Sequence, residues 1–279
     1  MDSIPSDLGT YLLLSAMREK YGEKTTFSTV RSGVTELVAW LSGGSAASSL
    51  YMAKNVPLRE AAEAYKPFSL SPIGRPSEYT RPHSIVYDSR LGGWLGPWVM
   101  GATNTIVVGR TYGLLDGLWG PKFNYKEYRS YGSWWKAYMW NLGLKLMPLF
   151  LFFPPTRWVA EKILPASGEG PTEQELKSGR FRMEIIAETD DSAHTGRIKI
   201  ETFADVGYLK SGNTFCGMLM AAMMLVETGL TLVDVEGTRV WNKYFSHGEK
   251  QTVVGTPALL GEQLKERLEK GELYFTLEV

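Results

Sequence analysis

The sequence contains a single cysteine among its 279 residues. One thiol cannot form an internal disulfide or a zinc site built from several cysteines, so a reducing, intracellular compartment is expected. The cysteine, Cys216, lies in the apolar stretch NTFCGMLMAAMML. A thiol in such surroundings is typical of an inert, buried side chain and not of a nucleophile.

The sequence also lacks an excess of charge of either sign. Thirty Lys and Arg residues balance 30 Asp and Glu residues, and the pI is about 6.9. Proteins that bind nucleic acids carry basic patches that neutralise phosphates. The balanced charge therefore argues against nucleic acid as a partner.

Common metal-binding and catalytic motifs are missing as well. His83, His194 and His247 have no ligand spacing, and no H-E-x-x-H or G-x-S-x-G motif occurs, so we expect no metal site. The first residues of the given sequence contain no basic region followed by an apolar run, which is the pattern of a secretory signal. A cytoplasmic protein, or one bound peripherally to a membrane or lipid droplet, is the expectation.

The first stretch, MDSIPSDLGTYLL, is rich in residues that begin helices. They are Asp2, Ser3, Pro5, Ser6 and Asp7. Serine and aspartate side chains accept hydrogen bonds from free helix N–H groups, proline suits the first turn, and acidic groups favour the positive end of the helix dipole. The sequence predicts a helix over about 5–21.

The remaining patterns alternate between strands and helices. Strands are predicted for TTFSTVRSG, FNYKEYRSY and LYFTLEV, and a β-hairpin for RFRMEIIAE and GRIKIETF. Helices are predicted up to about Asn55, from about Thr103, over 213–228 and in the tail. The helix over 213–228 is apolar nearly all round, which predicts deep burial. The proline-rich residues 66–84 predict a surface connection.

A glycine-rich turn, SGGS, precedes the helix that ends near residue 55. Gly43 and Gly44 permit close approach of a strand and a helix, and a turn of this kind can also hold phosphate at a helix N-terminus. The turn lacks the G-x-G-x-x-G spacing and the lysine of a P-loop. The residues alone favour a structural turn.

Aromatic residues are abundant, with nine Trp and fourteen Tyr, and many lie between residues 119 and 158. Residues 134–153 read WWKAYMWNLGLKLMPLFLFF, with Lys136 and Lys145 as the only charges. This length would permit a membrane span, but a central lysine and Pro148 disfavour one. A helix lying in a lipid interface and a buried core helix are the two other interpretations.

Several landmarks occur in a fixed order along the chain. They are DSIPSDLG, SGGSAAS, WLGPWVMGATNTIVVGRTYGLL, WGPKFNYKEY, GEGPT, DVGY and TPALLGEQLKERLEKGELYFTLEV. This series resembles the saccharopine dehydrogenase-like oxidoreductases, including the bacterial trans-acting enoyl reductases, over nearly the whole chain. The resemblance implies an α+β fold with a mixed or largely antiparallel sheet covered by helices. It also implies that residues 1–279 form a single C-terminal, substrate-binding domain.

In that family a Rossmann domain with a G-x-x-G-x-x-G turn precedes the segment that DSIPSDLG resembles. Met1 stands where the family has Phe, so the chain looks like a member that lacks the N-terminal Rossmann half. A nicotinamide dinucleotide needs its pyrophosphate held by N–H groups at a helix N-terminus. The resemblance implies NADPH as the cofactor, and this chain alone is expected to bind it poorly or not at all.

The resemblance also implies site residues. Those on the cofactor side are Asp2, Ser3, Pro5, Ser6, Ser42, Gly43 and Gly44. Those with a catalytic role in enoyl reduction, which requires a positioned proton donor, are Asp7, Asn104 and Tyr208. Each of these three also fits a structural role, as a cap, a turn hydrogen bond and a core aromatic respectively. The family's two consecutive arginines are not reproduced, because Gly109 precedes Arg110.

Two functions follow as expectations. The first is a truncated or split reductase that acts on an enoyl lipid or polyketide intermediate, with the NADPH-binding half missing or supplied separately. The partner would be a Rossmann-domain polypeptide or a second copy in a homodimer. The alternative is a non-catalytic protein of the same descent that binds a partner or a lipid surface. Residues 134–163 would contact a membrane or lipid droplet in that case.

Overall fold

The computed structural model describes residues 3–38, 43–166, 169, 180–203, 216–235 and 254–279. The helices in these residues are α1 (Ile4–Tyr21), α2 (Gly43–Asn55), α3 (Leu58–Ala64), α4 (Gly101–Leu114), α5 (Trp134–Phe152), α6 (Pro154–Ile163), α7 (Cys216–Val235) and α8 (Gly261–Lys270). The strands are β1 (Phe27–Val38), β2 (Val86–Asp88), β3 (Gly93–Gly96), β4 (Asn124–Ser130), β5 (Arg180–Thr189), β6 (Thr195–Phe203) and β7 (Tyr274–Glu278). Short 3₁₀ turns span Ser89–Leu91 and Pro257–Leu260.

The strands of the described residues form one sheet in the order β2-β3-β4-β1-β5-β6-β7. β1 runs parallel to β4, and every other neighbouring pair is antiparallel. The hairpin predicted from the alternation in RFRMEIIAE and GRIKIETF is the pair β5–β6. The predicted α+β class with a largely antiparallel mixed sheet is confirmed.

The inner face of the sheet carries the hydrophobic core. Because side chains alternate along a strand, one set from β5 and β6 points inward. This set is Phe181, Met183, Ile185, Ala187, Ile198 and Ile200. Helix α1 packs on β5 and β6, and it also contacts α4, α8 and the 3₁₀ turn at Pro257–Leu260. The core therefore fixes α1 between the sheet and the other helices.

The outer face of the sheet carries ion pairs between side chains of different strands. Arg182 Nε lies 3.1 Å from a carboxylate oxygen of Glu201, and Arg31 lies 3.1 Å from Asp88. A small apolar cluster of Leu91, Leu95, Tyr128 and Ile186 covers one end of this face. The main hydrophobic core thus lies on the inner face, and the ion pairs lie on the outer face.

Two sequence predictions for helices need correction. Helix α7 is not buried all round, because Leu225 and Val233 are 71% and 68% exposed while Met220 and Met224 are buried. The interpretation of residues 134–153 as a buried core helix is wrong, since Ala137 is the buried residue of α5 and the remaining side chains are half-buried or exposed. In the described part of the chain, no helix has both the length and the apolar character needed to cross a membrane.

Helix α1 approaches the sheet closely at Gly9. A Cβ atom at this position would collide with Cδ1 of Ile200 and would lie 3.1 Å from Cδ1 of Ile185. Gly143, in the middle of α5, has no heavy atom within 4 Å of the same ideal position. The two glycines therefore occupy helices of similar length in opposite packing environments.

We expect Gly9→Ala and Gly143→Ala to change stability in opposite directions. Overpacking at residue 9 should outweigh the gain in helix propensity and lower the free energy of unfolding by about 1 kcal/mol. Removal of the flexible glycine at residue 143 should raise it by up to about 1 kcal/mol. Urea unfolding of both variants measures this difference, and a stabilising Gly9→Ala would contradict the packing described for α1.

Candidate functional site

The start of α1 is enclosed by the rest of the protein. All residues from Ile4 to Thr10 are buried, whereas Ser3 is partly exposed. Ser3 occupies the N-cap position, but its side chain makes no capping hydrogen bond. Its hydroxyl instead donates to Oδ1 of Asn104 at 2.9 Å. The capping-type residues predicted for this helix are therefore used for tertiary contacts.

Beneath the start of α1 lies the carboxyl group of Glu127, which is 1% exposed. Four side chains from different segments donate hydrogen bonds to it. Oε1 accepts from Trp98 Nε1 at 2.7 Å and from Asn104 Nδ2 at 2.8 Å, and Oε2 accepts from Ser6 Oγ at 2.7 Å and from Tyr125 OH at 2.9 Å. We refer to Ser3, Ser6, Trp98, Asn104, Tyr125 and Glu127 as the Glu127 cluster.

The local sequence explains how these side chains meet. Tyr125 and Glu127 are two residues apart in β4 and therefore point to the same face of the sheet. Gly101, in the first turn of α4, allows the helix to approach β4, because a Cβ atom there would lie 3.1 Å from the carbonyl oxygen of Glu127. This close approach brings Asn104, one turn later, to the carboxyl group.

The electrostatic state of Glu127 reflects its burial. Loss of solvation raises the pKa of the carboxyl group, and the hydrogen bonds from Ser6, Asn104, Tyr125 and Trp98 oppose that rise. Burial and the neighbouring carboxyl group also raise the pKa of the Tyr125 hydroxyl. The cluster is thus a set of polar groups that depend on one another in a region without solvent.

A second buried carboxyl group, that of Asp7, lies in the first turn of α1. Thr111 Oγ1 donates to Oδ1 of Asp7, and the backbone N–H of Ala258 donates to Oδ2 at 2.8 Å. The hydroxyls of Thr111 and Thr256 are 2.7 Å apart. Asp7 therefore connects α1 with α4 and with the 3₁₀ turn at Pro257–Leu260. Its carboxyl group accepts a hydrogen bond from the backbone N–H of Ala258, which the turn itself leaves unpaired.

Burial raises the pKa of Asp7 from its ordinary value of 3.8 to about 7. Hydrogen bonds from Thr111, Ala258 and Thr256 act in the opposite direction but do not compensate for the lost solvation. Asp7 can therefore hold a proton near neutral pH. Its two oxygens are already bonded to the protein.

The structure brings several of the predicted site residues together. Ser3, Ser6 and Asn104 join the Glu127 cluster, and Pro5 and Asp7 lie in the first turn of α1. Three other predicted residues lie outside the described residues, namely Asp2, Ser42 and Tyr208. His247 also lies outside them.

Sequence reasoning missed Glu127 itself. The segment FNYKEYRSY predicts a strand, and Glu127 is in phase with Tyr125 on one face of that strand. A carboxyl group in register with a core tyrosine was the available signal. Trp98, Thr111 and Thr256 carried no comparable signal, because their partners are distant in the sequence.

The predicted cofactor turn has a different environment. The backbone N–H of Gly43 donates to the carbonyl oxygen of Glu169 at 2.9 Å, and a Cβ atom at residue 43 would collide with the carbonyl oxygen of Ala166. This glycine is required for close packing of the start of α2 against residues 166 and 169. Gly44, beside it, is exposed.

The start of α2 does not fit a dinucleotide pyrophosphate. Such a group needs several free backbone N–H groups at a helix N-terminus, and the amide at the start of α2 is bonded to Glu169. Arg110 offers no anion site either, because its Nε donates to the carbonyl oxygen of Val254 at 2.7 Å and its Nη1 to that of Leu70 at 2.9 Å.

A polar cleft of about 410 Å³ lies between α7 and α8. Its lining includes Glu227, Thr231, Asp234, Gln263, Glu266 and Arg267. Arg267 pairs there with Glu227 and Asp234. The charged walls suit water or polar solutes better than an acyl chain, and no residue of the Glu127 cluster lines this cleft.

The chain is similar to proteins named trans-acting enoyl reductase. One protein of that name from Mycobacterium tuberculosis is 29% identical over 242 residues, which cover 79% of this chain and 56% of the relative. The Mycobacterium leprae protein is 27% identical over 290 residues, covering 96% of this chain and 63% of the relative. The Mycobacterium ulcerans protein is 27% identical over 252 residues, covering 83% and 56%.

These similarities support the predicted likeness to trans-acting enoyl reductases. The chain spans 56% to 63% of the length of these relatives. No protein-family model and no solved structure matches it.

We predict that Asp7 makes the stability of the protein depend on pH. Because its pKa is higher in the folded state, the folded protein binds a proton that the unfolded chain releases between about pH 4 and pH 7. The stabilisation from protonated Asp7 is complete at or below about pH 4 and is lost as the pH rises through about 7. The full change is on the order of 4 kcal/mol.

The matched variant is Asp7→Asn, whose amide can accept from Ala258 and donate to Thr111 without titrating. We expect the free energy of unfolding of the wild type, minus that of Asp7→Asn, to fall as the pH rises from 4 to 7. Urea unfolding at several pH values measures this difference. A difference that stays constant across this range would show that the Asp7 pKa is not raised.

Proposed function

We propose that this chain supplies the substrate-binding part of an enoyl reductase-like oxidoreductase of the saccharopine dehydrogenase-like family. The substrate would be an enoyl lipid or a polyketide intermediate. The observation that carries the proposal is the Glu127 cluster, which collects Ser3, Ser6 and Asn104 at the start of α1. The names of the mycobacterial relatives support the same reaction class.

Reduction of an enoyl thioester places negative charge on the carbonyl oxygen when a hydride adds to the β-carbon. A positioned hydrogen-bond donor stabilises that charge. The Asn104 amide has two N–H groups, and the bond to Glu127 uses one of them. Asn104 is 1% exposed, so in this proposal the substrate carbonyl oxygen reaches the second N–H group from the side of Ser3.

Within this proposal Glu127 is a positioning residue. It accepts from the Asn104 amide while Ser3 donates to the Asn104 oxygen, so both ends of the amide are held in one orientation. Fixed donors of this kind stabilise developing charge without reorganisation. Ser3 is the partly exposed member of this group and marks the side from which a substrate would approach.

In the same proposal Asp7 is also a positioning residue. Its raised pKa suits a group that carries a proton at neutral pH, but Thr111 and Ala258 already bond to its two oxygens. Asp7 would hold the 3₁₀ turn at Pro257–Leu260 against α1 and α4. The proton for the α-carbon would then come from water or from another group.

The reduced nicotinamide would be held by a dinucleotide-binding unit distinct from the described residues. Two observations support this part of the proposal. The first amide of α2 is bonded to Glu169 and is not free for a pyrophosphate, and the relatives are longer than the region they share with this chain. NADPH is the proposed cofactor, and a Rossmann-domain polypeptide or a second copy of the chain is the proposed partner.

We expect Asn104→Ala to weaken binding of a 2-enoyl thioester by about tenfold, because the carbonyl oxygen loses a hydrogen bond. Isothermal titration of the 279-residue chain with a long-chain 2-enoyl pantetheine thioester measures the affinity. Asn55→Ala is the matched control, because Asn55 is exposed on α2 and donates only to its own helix, at the carbonyl oxygen of Tyr51. Thermal unfolding of both variants shows that they remain folded.

Equal affinity of folded Asn104→Ala and wild type would exclude Asn104 from substrate binding. Absence of binding of any enoyl thioester to the wild type would contradict the proposed function. A parallel assay follows NADPH oxidation with the chain alone and after addition of the unmatched portion of the Mycobacterium leprae relative. Tight NADPH binding by the chain alone would contradict the need for a separate dinucleotide unit.

A further inference from the structure

Helix α5 presents a continuous apolar stripe to solvent. With 3.6 residues per turn, positions spaced by three and four residues share one face of a helix. On α5 and at its end these positions are Trp135, Met139, Leu142, Leu146, Leu149 and Phe153, which we call the exposed stripe. Trp135 is 67% and Leu149 is 68% exposed. A row of large apolar side chains of this length marks an interaction surface.

The opposite side of α5 fixes the direction of the exposed stripe. Ala137 is fully buried, and Asn141, Leu144 and Pro148 on the same side are half-buried. Gly96 of β3 permits the contact, since a Cβ atom there would lie 3.1 Å from that of Ala137. Because α5 is seated on the protein along this side, the exposed stripe faces outward.

Positive charges border the exposed stripe. Lys136 and Lys145 lie on opposite flanks of it, given the helical periodicity. Helix α6 adds Lys162 and Arg157, whose Nη1 donates to the carbonyl oxygen of Ala53, and one acidic residue, Glu161. Residues 131–160 contain no acidic side chain, so cations outnumber anions along both helices. The Lys162 ammonium lies 3.7 Å from the centre of the Trp158 ring, and Trp158 is exposed. Lysines that flank an apolar face can direct their charged ends to anionic head groups.

Aromatic residues gather at one end of the same surface. Trp134, Trp135 and Tyr138 lie in the first turns of α5, where the rings of Trp134 and Tyr138 stack with centroids 5.2 Å apart. All three are exposed. Tryptophan and tyrosine favour the boundary between membrane and water, because their rings combine apolar and polar character.

We propose that α5 and α6 dock this protein on an anionic phospholipid surface, with both helices lying in the plane of the interface. The exposed stripe enters the acyl region, and Lys136, Lys145 and Lys162 contact the head groups. The positive border favours this occupant over a second copy of the chain, in which the same cations would face one another. This inference is independent of the proposed enoyl reduction.

The test is flotation of the 279-residue chain with vesicles of phosphatidylcholine alone or mixed with phosphatidylserine. We expect binding to the mixed vesicles that weakens as salt increases. The triple variant Trp135→Ser, Leu146→Gln, Leu149→Gln should lower the partition coefficient at least about tenfold. The double variant Lys136→Glu, Lys145→Glu should lower it about tenfold on mixed vesicles.

The matched control is the double variant Leu225→Gln, Val233→Gln on α7. These two side chains are as exposed as Trp135 and Leu149 but lie outside the exposed stripe. We expect this control to bind mixed vesicles like the wild type. Because all substituted positions on α5 and α7 are exposed or flank the stripe, circular dichroism and thermal unfolding should match the wild type for every variant.

Three results would overturn the proposal. One is the absence of binding to mixed vesicles. Another is equal binding of the wild type and the triple variant. The third is a concentration-dependent dimer, measured by light scattering, that the triple variant abolishes while vesicles remain unbound, since a second copy would then be the occupant of this face.

Discussion

The burial of one carboxyl group, that of Glu127, is the constraint on which the candidate site depends. A carboxyl group removed from water is stable only when the protein replaces the lost hydration. Here four donors from α1, α4, β4 and the segment before α4 perform that role. Without the carboxyl group, these four buried donors would in turn lack a hydrogen-bond acceptor. The start of α1 cannot shift relative to β4 without leaving several polar groups unpaired.

The second carboxyl group extends this constraint along α1. Asp7 bonds to Thr111 of α4 and to Ala258 of the 3₁₀ turn, so residues from the two ends of the chain meet at one helix. Close packing at Gly9 then holds the same helix on the sheet. Helix α1 thereby links the polar cluster, the hydrophobic core and the last segment of the chain. The residues at the start of α1 are therefore held in fixed positions by contacts on several sides.

The sequence allowed prediction of the elements whose periodicity matches their burial. Strict alternation identified the strands β5 and β6. Periodicity failed for α5 and α7, because apolar residues occur on all sides of both helices and only tertiary contacts decide which side is exposed. The direction of the exposed stripe therefore required the structure.

The site was predictable only in part for a related reason. Ser6 and Asn104 were named from the resemblance, but their common partner, Glu127, lies in a strand that contains several charged residues. Charged residues in strands usually face solvent, so the sequence gives little reason to place Glu127 in the core. Burial of a carboxyl group depends on donors that are distant in the sequence, and no local pattern encodes them.

The most direct test of the central claim compares Glu127→Gln with Glu127→Ala in urea unfolding at neutral pH. The glutamine oxygen can still accept from Trp98 and Asn104, and its NH₂ group can donate to Ser6 and Tyr125, so we predict a loss below about 1 kcal/mol. Alanine leaves all four donors without an acceptor, and we predict a loss of about 3 to 5 kcal/mol. Equal losses for the two variants would contradict the account.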